Sequence, residues 1–191
     1  MNEPLFLLIG KSASGKTTIA NMLEQQIGCQ QVSSYTTRNP RYPGEIGHVF
    51  VSEEEFDALG EMVAYTEYNG NRYGTTAEQL NQCQIYVVDV PGVETLLERY
   101  NTYRPIVTLY FDTTTYTRIN RMLDRGDGDM MIVSRLLQDE KDDWLEQLIS
   151  LVDKYSTVGD RNVYLHKIDA NGDLQQVLDL VQYYIEIHAE G

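Results

Sequence analysis

The sequence predicts an α/β fold with a parallel sheet at its core, and three observations carry that expectation. Apolar runs at 5–9, 85–88 and 106–111 have the composition of strands buried on both faces. Helical patterns alternate with them, as a doubly wound sheet requires. Directly after the first run comes Gly10-Lys11-Ser12-Ala13-Ser14-Gly15-Lys16-Thr17, which fits G-x-x-x-x-G-K-[ST]. A strand, a glycine-bearing loop and a helix in that order aim backbone N–H groups and the positive end of a helix dipole at one point. This is a three-layer fold of the P-loop kind.

Each element follows from local signals. Residues 17–26 form the helix behind the loop, and Gly28 ends it. Residues 31–37 are β-prone, and the Pro, Gly and charge of 38–47 break regular structure. The stretch 48–51 resumes as a strand, and Ser52 with Glu55 three residues on makes a capping box for a helix over 53–59 that Gly60 stops. Residues 62–68 alternate as a strand, and Asn69-Gly70 signals a hairpin. A helix over 76–82 leads to the strand 85–88, with Asp89 at its end. After the strand 106–111 comes a helix over 116–123, then Asp124-Arg125-Gly126-Asp127-Gly128-Asp129, too polar to pack regularly. Leu137, Trp144, Leu148 and Leu151 place a helical stretch over 133–152. A strand at 163–168 and an amphipathic helix on Leu174, Val177, Leu178, Val181 and Ile185 close the chain. The organisation expected is one unit over 1–191. Its core is 1–32 and 84–191, a small and mostly antiparallel β lobe spans 33–83, and a mobile lid spans 124–135.

Composition narrows the function. Lys and Arg number 15 against 29 Asp and Glu, a formal net charge of -14, which argues against nucleic acid or an anionic membrane as partner. The two cysteines, Cys29 and Cys83, have the spacing of neither a disulfide framework nor a zinc site. The first ten residues hold too short an apolar stretch for a signal peptide or a membrane span. A cytoplasmic enzyme is expected, its oligomeric state left open.

The loop is a polyphosphate site. Gly10 and Gly15 permit close backbone approach, Ser12, Ala13 and Ser14 contribute the cradle, and Thr18 continues into the helix. Lys16 reaches the β- and γ-phosphates of ATP, and the Thr17 hydroxyl is the Mg²⁺ ligand. A second constellation concerns the acceptor. Arg38 and Arg41 sit on a loop shaped by Pro and Gly in an acidic chain, and guanidinium groups bind phosphate or carboxylate oxygens in pairs. Tyr73 adds a hydroxyl to the same group, and Glu45 holds an arginine in place.

Several motifs together resemble guanylate kinase. They are S-x-T-T-R-x-x-R-x-x-x-E from Ser34 to Glu45, F-V-S-x-x-E-F from Phe50 to Phe56, and N-x-Y-G-T from Asn71 to Thr75. Asp89-Val90-Pro91-Gly92-Val93, R-x-x-x-R-G from Arg121 to Gly126, Arg135-Leu136 and Asn171-Gly172-Asp173 extend the likeness over most of the chain. The resemblance implies an ATP- and Mg²⁺-dependent nucleoside monophosphate kinase converting GMP to GDP. It implies that Arg38, Arg41 and Tyr73 bind the acceptor phosphate and that Arg121, Arg125 and Arg135 meet the transferring phosphates. It assigns guanine contacts to Ser34, Thr75 and Asp89, and a donor-nucleotide contact to Asn171. Asp89 alternatively orients Mg²⁺-bound water.

The chain departs from the pattern in three places. Ala64 stands where the family carries a glutamate that accepts from guanine N1 and N2. Glu67, at an odd offset on the same strand, faces the other way. Pro43 lengthens the arginine loop, and His48 stands nearest to a tyrosine that often touches the acceptor phosphate. These departures keep two other readings open: a kinase for another nucleotide or a ribose bisphosphate, and a non-catalytic module that binds a phosphorylated protein. The intact Walker A loop and the lid arginines oppose the second.

Overall fold

In the first strand, β1 (Leu5–Ile9), every residue is buried, and the faces alternate with the period of two that a strand imposes. Leu5, Leu7 and Ile9 join one core with Val93, Leu96 and Leu148, whereas Phe6 and Leu8 join a second with Ile19, Leu23 and Val177. A computed structural model describes residues 3–141, 143–156 and 162–189. In it β1 lies inside a four-stranded sheet with β6 (Ile85–Val87), β7 (Ile106–Asp112) and β8 (Val163–Asp169), in the order β6-β1-β7-β8. All three pairings are parallel. Helices cover both faces. α1 (Lys16–Ile27) and α8 (Leu174–Ala189) bury one side, while α4 (Val90–Arg99) and α7 (Trp144–Ser156) bury the other. The expected three layers are present.

The chain leaves β1 towards β6 on one side and later returns to β7 on the other. A crevice therefore opens beyond the carboxyl end of β1, where ligands bind in open α/β sheets. A second sheet rises beside it, built from β2 (Ser34–Thr36), β3 (His48–Phe50), β4 (Ala64–Tyr68) and β5 (Asn71–Thr75) in the order β3-β2-β5-β4. Asn69 and Gly70 turn the β4–β5 hairpin with φ of 50° and 71°, the twist a two-residue hairpin needs. Ser52 accepts from the Glu55 N–H and gives its own N–H to the Glu55 carboxylate, capping α2 (Glu53–Ala58) as expected. A second capping box on Thr76 and Gln79 starts α3 (Ala77–Gln82).

The lobe is mostly antiparallel, as expected, with β2 and β3 adding one parallel pairing. Two expectations change. Most of 31–37 is not strand; Gln31 makes only an isolated bridge to Ile85. The irregular stretch expected at 124–129 falls between α5 (Thr115–Asp124) and helix α6, which begins at Asp129 and runs to Asp139. The long helix over 133–152 is two helices, α6 and α7; at the break Asp139 pairs with Arg118 on α5 and accepts the Ser12 N–H, and Glu140 pairs with Lys11 and Arg118. Asp142 lies outside the described residues. Helix α4 was not anticipated, although Asp89 as N-cap and Pro91 in the first turn are a helix-start signature.

The edge of the main sheet is fastened to the last helix by imidazoles. His166 on β8 and His188 on α8 meet Nε2 to Nε2 at 2.8 Å, one donating and one accepting. His166 also stacks on Tyr184, and His188 packs on Tyr164. Burial holds both histidines below their ordinary value, and for His166 the neighbouring His188 adds to the effect. Their folded-state values lie below the unfolded one, so the contribution of the pair is complete above about pH 6.5 and is lost as pH falls through the lowered values. Thermal unfolding at pH 7.5 and 5.5 should show a drop in Tm that is smaller in His188→Phe than in the parent protein.

Candidate functional site

The residues Gly10 to Thr17 form the loop between β1 and α1 at the crevice. Gly10 is packed so closely that an added Cβ would stand 2.8 Å from the Phe111 carbonyl oxygen and 2.8 Å from Ser14 Oγ. Gly15 turns the chain into α1 with φ of 101°, and Ala13 holds φ of 60°, conformations that bring successive N–H groups to one side. Lys16 folds over the loop and donates to the Gly10 carbonyl, the Lys11 carbonyl at 3.0 Å and Ser14 Oγ at 3.2 Å. Its ammonium is held down to about 8 by burial, with Asp139 opposing that shift. A buried, incompletely compensated cation is suited to an anionic ligand.

Two cavities of about 350 Å³ each meet at Lys16. The first is lined by Ala13 to Thr18 together with Arg121, Arg125 and Leu174. Arg121 also braces the loop, donating to the Ser14 carbonyl at 3.1 Å and to the Ala170 carbonyl at 2.8 Å. The second cavity lies between the two sheets, and its polar lining includes Ser34, Arg41, His48, Tyr73 and Asp89.

At the second cavity Glu45 organises the arginine loop. It receives both terminal nitrogens of Arg38, at 2.9 and 3.1 Å, and the Arg41 N–H at 2.6 Å. Burial would raise its carboxyl; the Arg38 hydrogen bonds, the Arg41 N–H and the two guanidinium charges together outweigh it and hold the carboxyl below the usual carboxylate range. Arg38 Nε is buried without a partner among the described residues, a donor left for a ligand. Arg41 has 60% of its side chain exposed beside it. His48 pairs through Nδ1 with the Ser34 hydroxyl at 2.9 Å. Burial, followed by the Arg38 charge, lowers the His48 value and keeps its ring neutral at pH 7. Asp89 caps α4, accepting from the Gly92 N–H at 2.9 Å, and burial raises its carboxyl.

The other expected residues are placed less simply. Arg135 faces Asp127 at 3.4 Å, and Arg125 pairs with the same carboxylate; hydrogen bonding to Arg125 first, then the charge of Arg135, lowers Asp127. Thr75 is fully buried and gives its hydroxyl to Tyr86 at 2.9 Å. Asn171 is occupied with backbone and turn: its Oδ1 accepts from the Thr114 N–H and its amide donates to Asp169. Glu67 accepts from the Tyr65 hydroxyl and pairs in register with Arg72, on the strand face opposite Ala64. Glu67 nonetheless borders the second cavity together with Tyr65, Thr66 and Tyr68. Among the described residues no cluster of three or more His, Cys, Asp or Glu is arranged to hold a metal.

Sequence reasoning missed one buried arrangement. Arg118 is 1% exposed and pairs with Asp139, 2% exposed, at 3.1 Å. Asp139 accepts the Ser12 N–H at 2.8 Å, and Arg118 Nε donates to the Ser12 carbonyl at 3.1 Å. The Ser12 peptide is thus gripped on both sides, and α5 and α6 are tied to the P-loop. The signal lay in α5, where Arg118 precedes the core residue Met122 by one helical turn.

The chain is 30% identical over 147 residues to the guanylate kinase of Geobacter metallireducens, an alignment covering 69% of this chain and 70% of that one. The chain belongs to the guanylate kinase family. Family members from Cupriavidus metallidurans, 33% identical with 70% and 67% covered, and Oceanobacillus iheyensis, 28% identical with 86% and 82% covered, match as well. The crystal structure of guanylate kinase from Anaplasma phagocytophilum superposes with a TM-score of 0.58 at 18% identity, over 99% of this chain and 87% of that one, a likeness of fold. No family model matches the sequence.

Removing one member of a buried ion pair strands the other charge, at about 3–5 kcal/mol. Asp139→Ala should lose stability of that order in denaturant unfolding, and the double variant Arg118→Leu with Asp139→Leu should recover most of it.

Proposed function

We propose that this protein transfers a phosphoryl group from ATP to GMP, giving ADP and GDP. The observation that carries this reading is the meeting of two cavities at Lys16, one walled by the P-loop and the other by the arginine loop. Phosphoryl transfer needs little covalent help from protein; it needs two mutually repelling anions held in line and positive charge between them. Membership of the guanylate kinase family supports the same assignment.

The donor triphosphate lies along the P-loop amides, with Arg121 and Arg125 over it. The cradle fits such a group, since the space at Gly10 closes with any Cβ and the Lys16 ammonium has only carbonyl and hydroxyl partners. Mg²⁺, when bound, neutralises charge between the phosphates, and the Thr17 hydroxyl holds it in the absence of a carboxylate cluster. The acceptor phosphate takes the open donors of Arg38 and Arg41 and the Tyr73 hydroxyl. Ser34 and neutral His48 complete that wall. Asp89 contacts the base or orients water at the metal. Arg135, now on Asp127, is drawn to the transferring group as 124–135 closes and excludes water.

Among the described residues no helix is long and apolar enough to cross a membrane, and a cytoplasmic location accords with the nucleotide chemistry.

Lys16→Ala should abolish turnover, measured as ADP formation with GMP, while circular dichroism shows an intact fold. Retained activity would sink the kinase reading. A charge-assisted hydrogen bond contributes about 1.5–3 kcal/mol, so Arg38→Ala and Arg41→Ala should each weaken GMP use by roughly tenfold to a hundredfold. Calorimetric titration should find ATP affinity nearly unchanged in both; loss of ATP with GMP retained would mean that the two sites are exchanged.

A further inference from the structure

The second cavity is lined on the β4 side by Tyr65 to Tyr68, whose one carboxylate, Glu67, is taken up by the Tyr65 hydroxyl, and Ala64, fully buried, adds no polar group of its own. Ala64 and Thr75 face each other in register across β4 and β5, and directly opposed side chains on one face of a pair stand about 5 Å apart at Cβ. The polar group that reaches this point comes from the other sheet. Tyr86 on β6 lines the cavity and accepts the Thr75 hydroxyl at 2.9 Å, and it belongs to the same core cluster as Ala64 and Val88. Thr66, two residues on along β4, lines the same cavity and bonds to Asp89.

We propose that Tyr86 is the specificity-determining residue for the acceptor's base, and that it recognises the 6-oxo group of a purine and leaves the 2-amino group unread. This rests on the acceptor being a purine nucleoside monophosphate, as proposed above. The argument is one of donors and acceptors. With Thr75 donating to Tyr86, the phenol proton is left to donate and the Thr75 oxygen is left to accept. Burial pushes the phenol far above its ordinary value, so it stays protonated at any working pH. The phenol donor matches the O6 of a 6-oxopurine, with Thr75, fully buried behind it, orienting the phenol. Asp89 lines the same cavity and supplies the acceptor for N1–H. A carboxylate at 64 would have presented two acceptors to N1–H and the 2-amino group together; the hydroxyl pair does not.

The same geometry shows why Ala64→Glu would not simply restore guanine pairing. Position 64 is fully buried, so the introduced carboxylate would carry a desolvation cost that new hydrogen bonds would have to offset.

The test is kcat/KM for GMP, IMP and AMP at saturating ATP, in the parent protein and in Tyr86→Phe. The parent should use IMP within about fivefold of GMP, and Tyr86→Phe should lower the GMP to AMP ratio about tenfold with the GMP to IMP ratio and the KM for ATP unchanged. A merely structural role for the phenol would lower all three substrates together. Thr75→Val, which keeps the shape and removes the hydroxyl that orients the phenol, should reproduce the selectivity loss and serves if the first variant does not fold. A parent protein preferring GMP to IMP by more than about a hundredfold, or an unmoved GMP to AMP ratio in the variants, overturns the inference while leaving the kinase reading standing. Absence of turnover with every monophosphate overturns both.

Discussion

The close packing of the P-loop against the end of β7 is the constraint on which the rest depends. Gly10 lies between the Phe111 backbone and Ser14, with no room for a methyl group. That fit requires β1 and β7 to be neighbours in register, from Leu5 opposite Ile106 to Ile9 opposite Tyr110. The register depends in turn on both faces of β1 being buried by helices on either side. Sheet order, helix placement and the direction of the loop amides are therefore one arrangement. A one-residue slip would exchange the two cores and turn the loop away from the crevice.

The second structural commitment is electrostatic. In a chain with a formal net charge of -14, guanidinium groups near the crevice are held on internal carboxylates. Glu45 orders Arg38 and Arg41, while Asp127 orders Arg125 and Arg135. Each carboxylate lowers the self-energy of its arginines, and the reaction proposed above would bring two polyanions to them. The acidic exterior discourages unrelated polyanions, and attraction is confined to the crevice.

Much of the fold was legible because its signals are local. The apolar run before the glycine loop, the Ser52 capping box and the Asn69-Gly70 turn each specify geometry within a few residues. What escaped depends on partners distant in sequence. The parallel pairing of β2 with β3 is one such case, and the break between α6 and α7, where Asp139 pairs with Arg118 and Glu140 with Lys11 and Arg118, is another. At the site, motif spacing identified the loop, the arginines and their carboxylate. The pairing of His48 with the Ser34 hydroxyl was not legible, because β2 and β3 meet only in the folded sheet. Tyr86 was hidden inside an apolar strand, where an aromatic reads as core although it carries a polar handle.

The hydrogen bonds that Lys16 makes within its own loop have a kinetic meaning. With the ammonium on Gly10, Lys11 and Ser14, and the Ser12 peptide gripped by Arg118 and Asp139, the loop is held in its fold by the protein's own groups around a site of the right sign. A phosphate arriving there exchanges one set of oxygen acceptors for another and does not have to order a floppy chain. Little conformational entropy is lost on capture. Encounter, not loop rearrangement, then sets how fast the donor is taken up.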